Sequence, residues 1–344
     1  MSVVTFHFIS VPLHPKLKSM DALQQIRKPI EVEMSQYKQV FDSYLQHPSP
    51  LLQVVFTSIS QRKGKMMRPM LALLAAKLVG GAVNENAIYT AATFEFFHTA
   101  SLVHDDVVDE SEERRGQKSV NSAYGNQIAV LVGDFILANA LLCAAKTGSS
   151  RMIEVLSNAA QNLACGELLQ LNNVKNQAVD EAVYFDIIRN KTAALFAACA
   201  ESGVMAVSSD EKAMKTLHDF GEYVGICFQI RDDIFDYHHD PSIGKPTGND
   251  MQEGKLTLPV IHALLSTQNA EMFALARKVK ARQVSQDEIN ILVEFTKENG
   301  GIDYAVQVMN DYAEKAKGLL ASFPDSDVKQ ALIAYVDYVI DRTL

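Results

Sequence analysis

Apolar residues recur at helical spacing along almost the whole chain, as in Leu71, Leu74, Ala75 and Leu78, and in the stripe Phe94, Phe97, His98, Ser101, Leu102. Alternating runs that would make half-buried strands are nearly absent. The pattern predicts an all-α fold. Helix breaks are expected at Pro48 and Pro50, Gly80-Gly81, Gly116, Gly148 to Ser150, Ser208 to Asp210, Pro241 to Gly254, Gly300-Gly301 and Pro324, which divides the chain into about a dozen helices. No stretch is long or biased enough to link two domains. Residues 21–344 therefore read as one domain, and residues 1–20 as an N-terminal extension that is a candidate for disorder, with Met20 an alternative start. With 344 residues, 48% of them apolar, the chain can bury about 75% of its unfolded surface.

The net charge of −9 argues against a nucleic-acid partner, because a phosphate backbone needs a basic face. Any phosphate chemistry must use a local basic cluster. The four cysteines, Cys143, Cys165, Cys199 and Cys227, lie in apolar, Ala-rich stretches without C-x-x-C spacing, so they read as reduced core residues. The first twenty residues lack a basic region before their apolar ones and a small-residue cleavage site, which makes a poor secretory signal. The longest apolar run, Gln127 to Ala145, is long enough to span a membrane, but Asp134 near its centre would cost about 2.5–3.5 kcal/mol there. A buried core helix is the preferred reading, and a cytoplasmic protein with at most peripheral membrane contact is expected.

One short pattern occurs twice. Asp105-Asp106-Val-Val-Asp109 and Asp232-Asp233-Ile-Phe-Asp236 both follow long apolar helical stretches with D-D-x-x-D spacing. The helical period puts the first and last Asp of each set on one face, where like charges repel. Something cationic should compensate. Hard carboxylate oxygens suit Mg²⁺, which takes one or two carboxylates together with substrate phosphates and water. A rival reading notes that Glu95-Phe-Phe-His98 and Asp236-Tyr-His-His239 have the carboxylate-x-x-His spacing of di-iron bundles. It leaves the aspartate sets and the basic residues unexplained.

Those basic residues stand close behind the acidic ones. In Gly64-Lys65-Met-Met-Arg68-Pro69 the proline belongs to a first helical turn, which places Lys65 and Arg68 near the positive end of the helix dipole. Arg114-Arg115-Gly116 follows the first aspartate set by one and a half helical turns, and guanidinium forks suit diphosphate oxygens. Lys191-Thr192 lies within a helix otherwise rich in Ala, and Lys245 and Lys255 flank a Gly-rich segment after the second set. Together they describe a site for two diphosphates, one held through metal and one held directly by Lys and Arg.

The ordered set GKMMRP, HDDVVDESEERRG, GELLQ, Lys191-Thr192, QIRDDIFDY and GKPTGNDMQEGK resembles the motifs of trans-isoprenyl (polyprenyl) diphosphate synthases, over about residues 60–260. It is most similar to the long-chain octaprenyl or solanesyl branch. The resemblance implies the isoprenoid synthase fold, about a dozen helices around a deep central cavity, in a homodimer. It implies a Mg²⁺-dependent prenyltransferase, with about three ions per site, that condenses isopentenyl diphosphate head-to-tail onto an allylic diphosphate such as farnesyl or geranylgeranyl diphosphate. By motif position, Asp105, Asp106, Asp109, Asp232, Asp233 and Asp236 would ligate Mg²⁺. Lys65, Arg68, His98 and Arg115 would bind isopentenyl diphosphate, and Arg114, Lys191, Thr192, Gln229, Lys245 and Lys255 the allylic diphosphate, with Lys191 also assisting catalysis. Family members that stop early carry bulky aromatics one turn upstream of the first Asp, whereas Ala100 and Ser101 are small here. A long product, hexaprenyl to decaprenyl, is expected for quinone or other isoprenoid biosynthesis. Phe97 departs from the aliphatic residue common in long-chain relatives; it could shorten the product or pack in the core. A class I terpene cyclase would normally lack the second aspartate set and the GKMMRP clamp, and a non-catalytic partner subunit would usually have degraded motifs.

Overall fold

The computed structural model describes residues 19–61, 64–176, 178–237 and 247–342. In chain order α1 (Ser19–Arg27), α2 (Glu31–Tyr44) and α3 (Pro50–Gln61) precede α4 (Met67–Gly80) and α5 (Glu85–Val108). A hairpin of β1 (Glu113–Arg114) and β2 (Gln117–Lys118) leads to α6 (Val120–Tyr124), α7 (Asn126–Lys146), α8 (Ser150–Lys175) and α9 (Glu181–Ile188). A π turn at Arg189–Ala193 joins α9 to α10 (Ala194–Met205), followed by α11 (Glu211–Phe235) and α12 (Asn249–Gln252). The remaining helices are α13 (Leu258–Thr267), α14 (Ala270–Lys280), α15 (Gln286–Glu298), α16 (Gly301–Leu319) and α17 (Asp327–Asp341). The fold is all-α, as the apolar spacing predicts.

Among the described residues most Gly and Pro breaks fall at helix ends, but α5 stops at Val108, well before Gly116, and more ends occur than those residues announce. Asp180, Asn269 and Ser285 each start a helix by accepting backbone N–H bonds through their side chains, with Glu288 completing a capping box at Ser285. These caps split stretches that helical spacing alone reads as continuous.

The centre of the bundle is α10, which packs against α4, α5, α8 and α11. Leu195 to Ala200 and Ser202 to Val204 are all buried, so the helix has almost no outer face. Its neighbours come close enough to need glycine. A Cβ at Gly203 would lie 2.2 Å from the Ala72 carbonyl oxygen, and one at Gly225 2.5 Å from the Ala193 Cα.

Two expectations need correction. Cys143, Cys199 and Cys227 are buried, but Cys165 is exposed, because its side of α8 looks outward despite its apolar neighbours. The apolar run is α7, whose most apolar 18-residue window has a mean hydropathy of 2.2, yet only 44% of that window is buried. Val130, Leu131, Leu141 and Leu142 are exposed on it, and the Asp134 carboxylate, 60% exposed, lies 3.4 Å from His104. It is a core helix on one face only.

Gly203→Ala should destabilise the fold by about 2–4 kcal/mol, because the obstructing atom is backbone and cannot swing away. Urea unfolding of the variant beside the parent measures this.

Candidate active site

Helix α5 ends at the first aspartate set. Asp105 and Asp106 lie in its last turn, Asp109 is the C-cap, and Glu110 follows with a left-handed φ of 51°. Asp106 is fully buried and accepts a 2.6 Å bond from Arg114 Nε, while Asn121 donates to its backbone carbonyl at 3.0 Å. Asp105 is half-buried, and desolvation, followed by the nearby Glu167 carboxylate, pushes its pKa up to about 6. Asp109 is exposed.

Arg114 and Arg115 reach this helix end by a different route from the continued helix that their spacing suggested. The helix has already stopped, and the hairpin turns the chain back through Arg115 at φ 54° and Gly116 at φ 72°. Two successive left-handed residues make the tight turn that suits a two-stranded ribbon. Arg114 thereby folds onto Asp106.

The second set sits likewise at the end of α11, with Asp236 as the C-cap. Asp232 pairs with Arg342 Nη2 at 2.5 Å. Asp233 is buried and both of its oxygens accept bonds, 2.6 Å from the Tyr184 hydroxyl and 2.9 Å from Gln229 Nε2. Gln229 in turn accepts a 2.8 Å bond from Thr192 Oγ1, so the π turn and the second set form one network. Asp236 accepts from the backbone N–H groups of Asn249 and Asp250 at 2.9 and 3.1 Å. Burial, and then Asp236, pushes the Asp250 carboxyl up to about 7. Both aspartate sets therefore stand at helix C-termini, where the backbone dipole is itself negative.

Cations reach in between them. Lys191 Nζ lies 2.5 Å from Glu167 and 3.4 Å from Gln170, and lines a cavity of about 110 Å³ with Asp233, Asp250 and Lys255. The π turn that presents Lys191 packs so tightly on α8 that a Cβ at Gly166 would lie 2.6 Å from the Lys191 nitrogen. An isolated π turn inside a helix is a recurrent mark of a functional position. Lys255 pairs with Glu253 at 2.5 Å, and the carboxylates of Asp250 and Asp109 both help to raise its pKa. Lys245 lies outside the described residues.

A second basic group opens onto a cavity of about 1170 Å³ bounded by α1, α2, α5 and the hairpin. His98, Glu95, Arg114 and Arg115 line it. The N-terminus of α4 supplies Arg68, which stacks 4.7 Å over the Phe196 ring and has a buried Nε without a hydrogen-bond partner among the described residues. Gly64 lies against Arg115, whose Nη1 would be 2.7 Å from a Cβ there. Burial, then the charges of Arg68 and Arg115, holds the His98 imidazole well below its ordinary pKa. The guanidinium groups of Arg68, Arg114 and Arg115 around this ring disfavour a further cation there, which counts against Glu95 and His98 as iron ligands, while His239 of the second such pair lies outside the described residues. Lys65 is exposed, 5.6 Å above the Tyr338 ring.

Ala100, Ser101 and Phe97 are all buried on α5, upstream of the first set. Phe135 on α7 packs on Phe56 at 5.2 Å and edge-on to His47 at 5.5 Å. Among the partners in the site, Glu167, Tyr184, Asp250, Glu253 and Arg342 carry no assignment from the sequence. Glu167, Asp250 and Glu253 lie inside the motifs GELLQ and GKPTGNDMQEGK, so a signal existed for them. Tyr184 and Arg342 stand alone in their segments, without one.

The donor chemistry fits Mg²⁺. Hard carboxylate oxygens gather at two negative helix ends, and burial, followed by the nearby carboxylates Glu167 and Asp236, raises Asp105 and Asp250, a cost that a divalent cation would relieve. Among the described residues no three metal-ligating side chains converge into a cage, so substrate oxygens and water would complete the coordination.

Comparison with known proteins agrees with this geometry. The family model described as polyprenyl synthetase matches residues 49–295. An octaprenyl diphosphate synthase of Haemophilus influenzae is 37% identical over 327 residues, covering 95% of this chain and 98% of that protein. The crystal structure of a geranylgeranyl pyrophosphate synthase from Bacteroides thetaiotaomicron is 47% identical, with a TM-score of 0.83 over 94% of this chain and 100% of that one. A polyprenyl synthase from Caulobacter crescentus, crystallised with calcium and isoprenyl diphosphate, is 33% identical, with a TM-score of 0.87 over 93% and 98% of the two chains. Match length, identity and fold together make this chain a member of the polyprenyl synthetase family.

Proposed function

We propose that the protein is a long-chain trans-polyprenyl diphosphate synthase, which extends an allylic diphosphate by head-to-tail addition of isopentenyl diphosphate. The observation that carries this reading is the pairing of two aspartate-bearing helix ends with a basic group, His98, Arg114 and Arg115, on the larger cavity that Asp106 also borders. One diphosphate would be held through metal at the carboxylates, and the other by Lys65, Arg68, Arg115 and the neutral His98.

Bound Mg²⁺ would supply positive charge to the departing allylic diphosphate, where negative charge develops as the carbon–oxygen bond breaks. Arg114, Lys191 and Lys255 surround the same leaving group. Each is paired with a carboxylate in the protein, to Asp106, Glu167 and Glu253, which fixes its position before substrate arrives. The basic cluster at α4 and the hairpin holds isopentenyl diphosphate so that its double bond can meet the allylic cation, a gain from proximity. The proton lost in forming the new double bond passes to the departing diphosphate, and no protein nucleophile is required.

We assign farnesyl or geranylgeranyl diphosphate as primer and a hexaprenyl to decaprenyl product, supported by small Ala100 and Ser101 on the inner face of α5. The relatives are named for products of different length, so the measured ladder is decisive. Such a product is insoluble in water and fits a cytoplasmic enzyme in peripheral contact with a membrane. The exposed Val130, Leu131, Leu141 and Leu142 support a homodimer formed through α7.

Incubation with farnesyl diphosphate, labelled isopentenyl diphosphate and Mg²⁺ should give a product ladder extending well beyond geranylgeranyl, abolished by chelator. A ladder ending after one addition would identify Phe97 as the limit and overturn the long-chain assignment. Ala100→Phe should shorten the ladder while preserving the first condensation, read by the same chromatography. Asp105→Asn should lower kcat by about 10²-fold or more. The same variant should raise the melting temperature of the metal-free protein at pH 7, because the charged form that burial and Glu167 disfavour is gone.

A further inference from the structure

The cation that meets Asp232 comes from far away in the chain. Arg342 follows α17 directly, and α17 is tied to the basic start of α4 by a 2.9 Å bond from the Tyr335 hydroxyl to the Met67 carbonyl. The Arg342 backbone carbonyl accepts from Arg231 Nε and Nη2 at 3.3 and 3.0 Å. Its guanidinium lies 3.8 Å over the Phe228 ring and gives one Nη2 bond to the Phe228 carbonyl at 3.0 Å and one to Asp232 Oδ1 at 2.5 Å. The Arg342 side chain is 10% exposed and that of Asp232 40%, so the arginine approaches from the protein side and the carboxylate keeps an open side.

Two details suit exchange better than permanent pairing. The contact uses a single carboxylate oxygen instead of the bidentate fork that makes arginine pairs strongest. The Arg342 Nε is buried without a hydrogen-bond partner among the described residues, so the group retains unused donor capacity. Lys65 is close enough to feel both partners, its pKa lowered by desolvation and then by the Arg342 charge, with Asp232 acting in the opposite direction.

We propose that Arg342 is a stand-in cation for Asp232, occupying the carboxylate until metal-bound diphosphate displaces it, so that divalent metal binds well only in the company of diphosphate. The inference rests on the assignment of Asp232 as a metal ligand. A cation seated on the carboxylate lowers the affinity of any second cation for it, and the incoming diphosphate offers Arg342 and Lys65 a replacement anion.

Titration with Mn²⁺, followed by the electron paramagnetic resonance of the free ion, tests this with and without inorganic pyrophosphate. Arg342→Met should bind Mn²⁺ alone about tenfold tighter than the parent, on the scale by which a neighbouring opposite charge shifts a carboxylate. Pyrophosphate should then improve its Mn²⁺ affinity less than it does for the parent. Arg342→Lys, which keeps the charge, should behave like the parent. Arg342→Gln, which keeps most of the stem over Phe228, replaces Arg342→Met if the latter does not fold. A variant that melts earlier but binds Mn²⁺ alone like the parent would show a purely structural arginine and overturn the proposal. Asp232→Asn separates the underlying assignment: undiminished Mn²⁺ binding with pyrophosphate in that variant removes Asp232 from the metal site, whatever Arg342 does.

Discussion

The close approach of helices around α10 sets the rest of the structure. Gly203 lets α10 touch the backbone of α4, and Gly225 brings α11 against the π turn. At such distances backbone is packed on backbone, and no side chain can be inserted to adjust the spacing. The helix that carries the second aspartate set and the turn that carries Lys191 are therefore fixed relative to each other by the core itself. The polar network from Thr192 through Gln229 and Asp233 to Tyr184 is laid across that rigid junction.

Electrostatics then works against the core's geometry. Helix C-termini are poor places for carboxylates, and desolvation makes them poorer. The protein answers with internal cations: Arg114 on Asp106, Lys191 on Glu167, Lys255 on Glu253 and Arg342 on Asp232. Asp105 and Asp250 remain raised despite this. Such a site suits the proposed guest, a metal diphosphate, which is both strongly cationic and strongly anionic. At the other cavity guanidinium groups surround a neutral imidazole, and the proposed guest there is an anion alone.

Much of this was legible in the sequence because its causes are local. Periodic apolar residues give helices, and D-D-x-x-D puts charge on one helical face whatever the fold. The start of α4 followed from the position of Pro69. What escaped has causes at longer range. The Arg114-Arg115 hairpin has no Asn-Gly or Asp-Gly signal, and only its return onto Asp106 makes it worth forming. Tyr184 and Arg342 act on aspartates 49 and 110 residues away, across packing that no window of sequence contains. Cys165 and the outer leucines of α7 were misjudged for a related reason. An apolar run tells which residues avoid water, but a helix buried on one side and bare on the other has the same composition as one buried all round.

The π turn at Arg189–Ala193 has a consequence for how this stretch tolerates change. It holds one residue more than an α-helical turn, so α9 and α10 are offset in phase along one continuous rod. Deleting a single residue there to restore regular helix would turn the α9 side by about 100° about the axis relative to α10, carrying Lys191 and the buried Tyr184 and Ile188 off their neighbours together. The phase that seats this rod in the core and the phase that presents Lys191 are thus set by the same extra residue, and a one-residue slip moves packing and chemistry together.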